Sequence, residues 1–110
     1  MTTIDQQQYD ELRRVMGSDI GVLVASFERD CQQRIADAQD AFAANDFERL
    51  RRIAHTLKGG ALGMAALALA EECKCLEGAA KDTDSAAANL ALRRVEEHLA
   101  TTLRVLRERC

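Results

Sequence analysis

The chain has 110 residues, enough for one domain over residues 1–110 and not for two. Apolar residues make up 47% and charged residues 30%, which excludes a disordered chain; with no proline, no tryptophan and 4% aromatics, a β-sandwich or barrel is disfavoured. A net charge of -3 weighs against non-specific nucleic-acid binding, and no apolar run nears the roughly 18 residues that mark a membrane span.

Residues 1–8 are polar and carry no signal-peptide core, so the expectation is a soluble chain. A short first helix is predicted over residues 4–16, with Ile4, Leu12, Val15 and Met16 as its apolar positions. Gly17-Ser18-Asp19 should stop it and cap the next helix. The second helix is predicted over residues 20–44. Its stripe is Ile20, Val24, Phe27, Cys31, Ile35, Ala38 and Phe42, in steps of three and four. Asn45-Asp46 breaks it, with Asp46 as the N-cap of a third helix that starts at Phe47 and buries Phe47, Leu50, Ala54, Leu57 and Ala61.

Gly59, Gly60 and Gly63 crowd the far end of that helix. A fourth helix is expected from near Ala65, burying Leu69, Cys73, Leu76 and Ala80. Lys81-Asp82-Thr83-Asp84-Ser85 is a polar link in which Asp84 or Ser85 can cap the last helix, residues 86–109. That helix buries Leu92, Val95, Leu99, Leu103 and Leu106. Four long amphipathic helices with short links predict an all-α, up-down antiparallel four-helix bundle, with the short N-terminal helix capping one end. The stripes can all be buried inside one bundle, so a monomer is expected.

The cysteines do not read as a disulfide framework. Cys31 and Cys73 hold core spacings, and Cys110 is the last residue. Cys73 and Cys75 are two apart, about 200° around a helix, and cannot share a metal. Reduced thiols are expected.

The informative residue lies on the outer face of the third helix. His55 sits about 150° from the centre of the buried stripe. Around it stand Arg51, Arg52, Lys58, Gly59 and Leu62. A neutral imidazole is a nucleophile near neutral pH, with a reference pKa of about 6.5. Lys58 at i+3 can neutralise phosphoryl oxygens, Gly59 at i+4 lets another protein approach, and Leu62 at i+7 offers an apolar spot to cover. Glycine inside a helix costs about 1 kcal/mol against alanine, so its placement one turn from an exposed histidine needs a reason of packing or access. Val22, on the non-core side of the second helix, is a weaker candidate for apolar docking.

The stretch from Ala54 to Ala61, with His55, Leu57, Lys58 and Gly59, followed by Leu69, Cys73, Leu76 and Glu77, resembles the signature of histidine-containing phosphotransfer domains. The likeness extends over nearly the whole chain. It implies a four-helix bundle in a multistep two-component phosphorelay. There, a histidine accepts a phosphoryl group from the aspartyl phosphate of one receiver domain and passes it to an Asp of another. By position, His55 is the phosphoacceptor, Lys58 the phosphate-facing lysine and Gly59 the access glycine, with Arg51, Arg52, Leu62 and Glu77 on the partner side. A hairpin centred on residue 66 puts residues 55 and 77 at one height; that register leaves the rotation of Glu77 open. Two positions depart from the family pattern: Ala65 replaces a common glycine ten residues after the histidine, and Leu62 a common small residue.

The chain has no G-x-x-x-x-G-K-[ST] loop and no strand to carry one, so it reads as a phosphocarrier without an ATP site or cofactor of its own. Mg²⁺ is expected in the partner receiver, and the partners are receivers of a hybrid histidine kinase or response regulator. No nucleic-acid or direct membrane contact is expected. The location implied is cytoplasmic, with tethering to the inner membrane if the chain is part of a hybrid sensor kinase; the free-standing alternative is equally open. Two rival readings stand beside this one. A non-catalytic helical docking module needs neither His55 nor Lys58. A metal or haem bundle would need His55, His98 and a cysteine to face inward; His55 points away from the core, and no His-x-x-x-His or Glu-x-x-His pair is aimed inward. His98 lies on the flank of the last helix, with no lysine at i+3 or i+4.

Overall fold

A computed structural model describes residues 2–109. Five α-helices appear among them: α1 (Gln6–Met16), α2 (Ile20–Ala43), α3 (Phe47–Gly63), α4 (Leu67–Lys81) and α5 (Ser85–Glu108). Neighbours in the chain pack side by side, and α5 closes back on α2. No Cα of α2 lies within 8 Å of α4, so these two stand on a diagonal of the up-down bundle. One core cluster runs through α2 to α5 and takes Ile4 and Tyr9 from the N-terminal segment.

The helix α1 begins at residue 6 because Asp5 caps it, its carboxylate accepting from the Gln8 N–H at 3.1 Å. Its buried face differs from the expected one. Tyr9 is fully buried and donates its hydroxyl to the Leu106 carbonyl at 3.1 Å, while Val15 is exposed. Val15 lies about 120° around the helix from Tyr9, whereas Leu12 and Met16 lie within about 60° and pack partly against the core. Ile4 is buried ahead of the helix. Gly17 stops α1 at φ 54°, as expected, but Asp19 makes no side-chain cap; a single 3-10 turn, Gly17–Asp19, leads directly into α2.

The α2 stripe is buried at every expected position except Phe42, where Ala41 goes inside instead. Phe42 lies half-buried against Phe47, edge to face, with ring centroids 6.5 Å apart. The same offset leaves Phe47 half-buried.

The turns after α2, α3 and α4 share one closure. After α2, the N–H of Asn45 bonds the Phe42 carbonyl and that of Asp46 the Ala41 carbonyl. After α3, Ala65 bonds Leu62 and Ala66 bonds Ala61; after α4, Thr83 bonds Ala80 and Asp84 bonds Ala79. Each is a Schellman turn with its pivot at positive φ: Asn45 at 55°, Ala65 at 60° and Thr83 at 49°. Ala65 is the position where the resemblance expects glycine, the residue best suited to that conformation. The pivot delays α4 to Leu67, two residues later than the spacing predicted. Asp46 and Asp84 then cap α3 and α5, accepting from the N–H groups of Arg49 at 3.1 Å and Ala87 at 3.0 Å.

Candidate functional site

The site lies on the outer face of α3, where α4 runs alongside. The buried row Leu50, Ala54, Leu57 and Ala61 turns His55 outward, and its side chain is 65% exposed. Glu77 of α4 reaches over to it. One carboxylate oxygen, Oε2, lies 2.8 Å from His55 Nδ1, and the other, Oε1, accepts from Lys58 Nζ at 2.7 Å. A carboxylate only accepts, so the Nδ1 proton belongs to the ring, and in the neutral imidazole the lone pair is on Nε2. The rotation of Glu77 that the hairpin register left open is thereby fixed.

Lys58 and Glu77 are the more enclosed members, with side chains 27% and 20% exposed. The Lys58 ammonium holds the Glu77 carboxyl below its usual range; partial burial opposes this, and the bond from His55 adds to it. Arg51 is turned to Glu48, one turn earlier on the same helix, and its hydrogen bond lowers the Glu48 carboxyl in the same way. Arg52 is exposed and has no side-chain partner among the described residues.

Gly59 and Gly60 are open on the surface, as is Gly63, and a Cβ added to any of them would meet nothing within 4 Å. Packing within the chain therefore does not require these glycines. Two shallow grooves lie further along α3, one on each side of the helix. On the α4 side, Lys58, Leu62, Leu67, Ala70, Glu71 and Lys74 line one. On the other side, Gly60, Gly63 and Met64 meet Leu12 of α1 and Leu23 and Phe27 of α2. Leu62 and Val22 are exposed, as the periodicity placed them.

The sequence reading had not singled out Glu48, although an i, i+3 Glu–Arg pair is a legible signal. It also missed Gln8, whose amide donates to the Leu62 carbonyl at 2.9 Å and ties α1 to the end of α3. No local pattern announces that long-range bond.

His98 is not part of this site. Its Nε2 lies 3.6 Å from Glu72 Oε1 on the α4–α5 seam. No cluster of three or more His, Cys, Asp or Glu side chains able to hold a metal exists among the described residues. Cys31 and Cys73 are buried free thiols, both pushed up to about 12 by burial; Cys75 is exposed and free, and Cys110 lies outside the described residues. None of the described helices is long and apolar enough to cross a membrane.

The fold and this outer face define a helical bundle that presents one oriented, solvent-facing imidazole. The family model of the Hpt domain matches residues 22–108. The chain belongs to the Hpt family, and its role is phosphotransfer within a phosphorelay. A solved structure of histidine-containing phosphotransfer protein B from Pseudomonas aeruginosa is similar at 29% identity, with a TM-score of 0.91 over 97% of this chain and 93% of that one. Two plant proteins described as histidine-containing phosphotransfer proteins share the fold. The rice protein is 17% identical with a TM-score of 0.83, over 97% of this chain and 85% of its own. The maize protein is 18% identical with a TM-score of 0.80, over 97% and 86%. No curated protein matches the chain to a significant degree.

Proposed function

We propose that His55 Nε2 is the phosphoacceptor of a multistep phosphorelay. It takes the group from the aspartyl phosphate of one receiver domain and delivers it to the Asp of another. The observation that carries this reading is the bond between His55 Nδ1 and Glu77 Oε2, on a ring that is otherwise open to solvent. It leaves the outward nitrogen unprotonated and the ring oriented for in-line attack. When Nε2 forms its bond to phosphorus, the P–O bond breaks and its electron pair leaves with the receiver's carboxylate. The ring gains positive charge while Nδ1 keeps its proton, and Glu77 offsets that charge at 2.8 Å.

The open face of Gly59 and the apolar Leu62 give the receiver room to bring its aspartyl phosphate to Nε2. The chain acts as a carrier with no ATP site or cofactor of its own. Mg²⁺ would be held by the receiver, where it neutralises phosphoryl charge. The chain would work as a cytoplasmic, monomeric single domain.

The test is phosphoryl transfer from a phosphorylated receiver domain in Mg²⁺ to the wild type and to His55→Gln. Acid-labile, base-stable label on the wild type and none on His55→Gln is expected. Absence of label on both, from several receivers, would overturn the carrier reading in favour of a docking module.

A further inference from the structure

Phosphoryl transfer needs a cation on the side of the ring where phosphorus sits. Lys58 is the obvious candidate by sequence, yet its ammonium is bound to Glu77 Oε1 at 2.7 Å, on the Nδ1 side of the imidazole. The opposite side is also furnished. Counted around α3 from His55, Lys58 lies about 60° one way, toward α4, and Arg51 about 40° the same way. Gly59 and Arg52 lie about 40° and 60° the other way, toward α2. The two grooves fix these directions: Lys58 shares its groove with Leu67, Ala70 and Lys74 of α4, whereas Gly60 and Gly63 share theirs with Leu23 and Phe27 of α2. The two ring nitrogens point in widely different directions, so an imidazole holding Nδ1 against Glu77 turns Nε2 away from α4.

On that side, among the described residues, Arg52 is a cation whose side chain makes no hydrogen bond or ion pair. It precedes His55 by one turn, at helix-neighbour distance. Among the described residues its charge acts on Glu48, whose carboxylate is already bound to Arg51. We infer that Arg52, not Lys58, is the catalytic cation that grips the phosphoryl oxygens on His55 Nε2, and that Lys58 is a positioning residue that holds Glu77.

The assignment rests on the carrier reading above. As Nε2–P forms and P–O(Asp) breaks, the guanidinium donates two parallel N–H bonds to equatorial phosphoryl oxygens, a geometry suited to arginine. The lost electron pair stays with the receiver's carboxylate, and no proton moves. In the reverse step the receiver's carboxylate attacks phosphorus and the imidazole leaves with its Nδ1 proton in place. Arg52 serves both directions alike.

The experiment measures transfer from an Mg²⁺-bound, phosphorylated receiver domain over a range of receiver concentrations. The chains compared are wild type, Arg52→Ala, Arg52→Lys, Lys58→Ala and His55→Gln, and nitrogen NMR reads the His55 tautomer in each histidine-bearing chain. Removing a preorganised donor costs about 10²–10³ in rate at enclosed sites, and solvent weakens that here. Arg52→Ala is therefore expected to lower the saturated transfer rate about tenfold or more, with the tautomer and the half-saturating receiver concentration little changed. Arg52→Lys should recover part of the rate. Lys58→Ala should disturb the tautomer.

A saturated rate in Arg52→Ala equal to wild type would overturn the assignment, including the case where only half-saturation rises and Arg52 merely docks. So would a larger loss in Lys58→Ala with the tautomer intact. Label on His55→Gln equal to wild type would instead overturn the carrier reading, and the assignment with it.

Discussion

The bundle carries two histidines, each beside a glutamate of α4, and only one pair is built into a site. At His55 the carboxylate is 2.8 Å from Nδ1, its second oxygen is taken by Lys58, and the ring is 65% exposed. At His98 the separation is 3.6 Å, beyond hydrogen-bond reach; the other Glu72 oxygen is buried and has no hydrogen-bond partner among the described residues, and the ring is 38% exposed. Glycines stand one to two turns past His55, whereas α5 contains none. A histidine near a glutamate is thus not enough. What distinguishes the first pair is a carboxylate saturated from both sides and an approach path cleared of side chains.

The contrast breaks most cleanly by exchange. His55→Gln should remove all acid-labile label acquired from a phosphorylated receiver, and His98→Gln should leave labelling at the wild-type level. Label lost with His98 and kept without His55 would invert the assignment.

A smaller break comes from Glu77→Gln. The amide has one accepting oxygen for two donors, Nδ1–H and the Lys58 ammonium, so one of the two bonds is lost, together with the charge that would offset a phosphorylated ring. Transfer should fall several-fold, measured at saturating receiver, with Glu72→Gln unaffected. The same variant has a stability signature. The Glu77 carboxyl is held below its usual value of 4.5. Its contribution is present above the carboxylate titration of the unfolded chain and is lost as pH falls through the folded value. Acid unfolding of Glu77→Gln, followed by circular dichroism, should lack that part of the slope; superimposable acid limbs would take the Lys58–Glu77 pair out of the stability account.

Gly59→Ala sharpens the approach-path half of the comparison. The new methyl meets nothing in the free protein, so stability should rise by about 1 kcal/mol by denaturant titration, while transfer slows. Gains in both would mean that no partner comes close there. Smallest of all, Thr83→Gly relieves a left-handed pivot far from either histidine. A left-handed residue costs about 1–2 kcal/mol and glycine returns about 0.5–1 of that in chain entropy, so a net gain of about 0.5–1 kcal/mol is expected, with transfer unchanged.

Much of this was legible in the chain. The stripes of α2 to α5 follow from steps of three and four, and Asp46 and Asp84 announce their helices as caps. The outward turn of His55 follows from the same count. The rest was hidden for specific reasons. The spacing puts the α3–α4 turn early because its left-handed pivot is an alanine, and it rotates α1 because one tyrosine, anchored to Leu106 nearly a hundred residues away, takes the buried face and turns Val15 out. The bond of Lys58 to Glu77 is hidden because a side-chain rotation on the neighbouring helix leaves no trace in spacing.

The diagonal placement of α2 and α4 has a use of its own. Cys31 and Cys73 sit inside the core on helices whose Cα atoms nowhere come within 8 Å, too far for a disulfide while the bundle is folded. Both thiols are also far from ionised at neutral pH. An alkylating reagent can reach them only when the bundle opens, so the slow labelling of these two sulfurs, set against the prompt labelling of exposed Cys75, is an internal clock for how often the phosphocarrier comes apart.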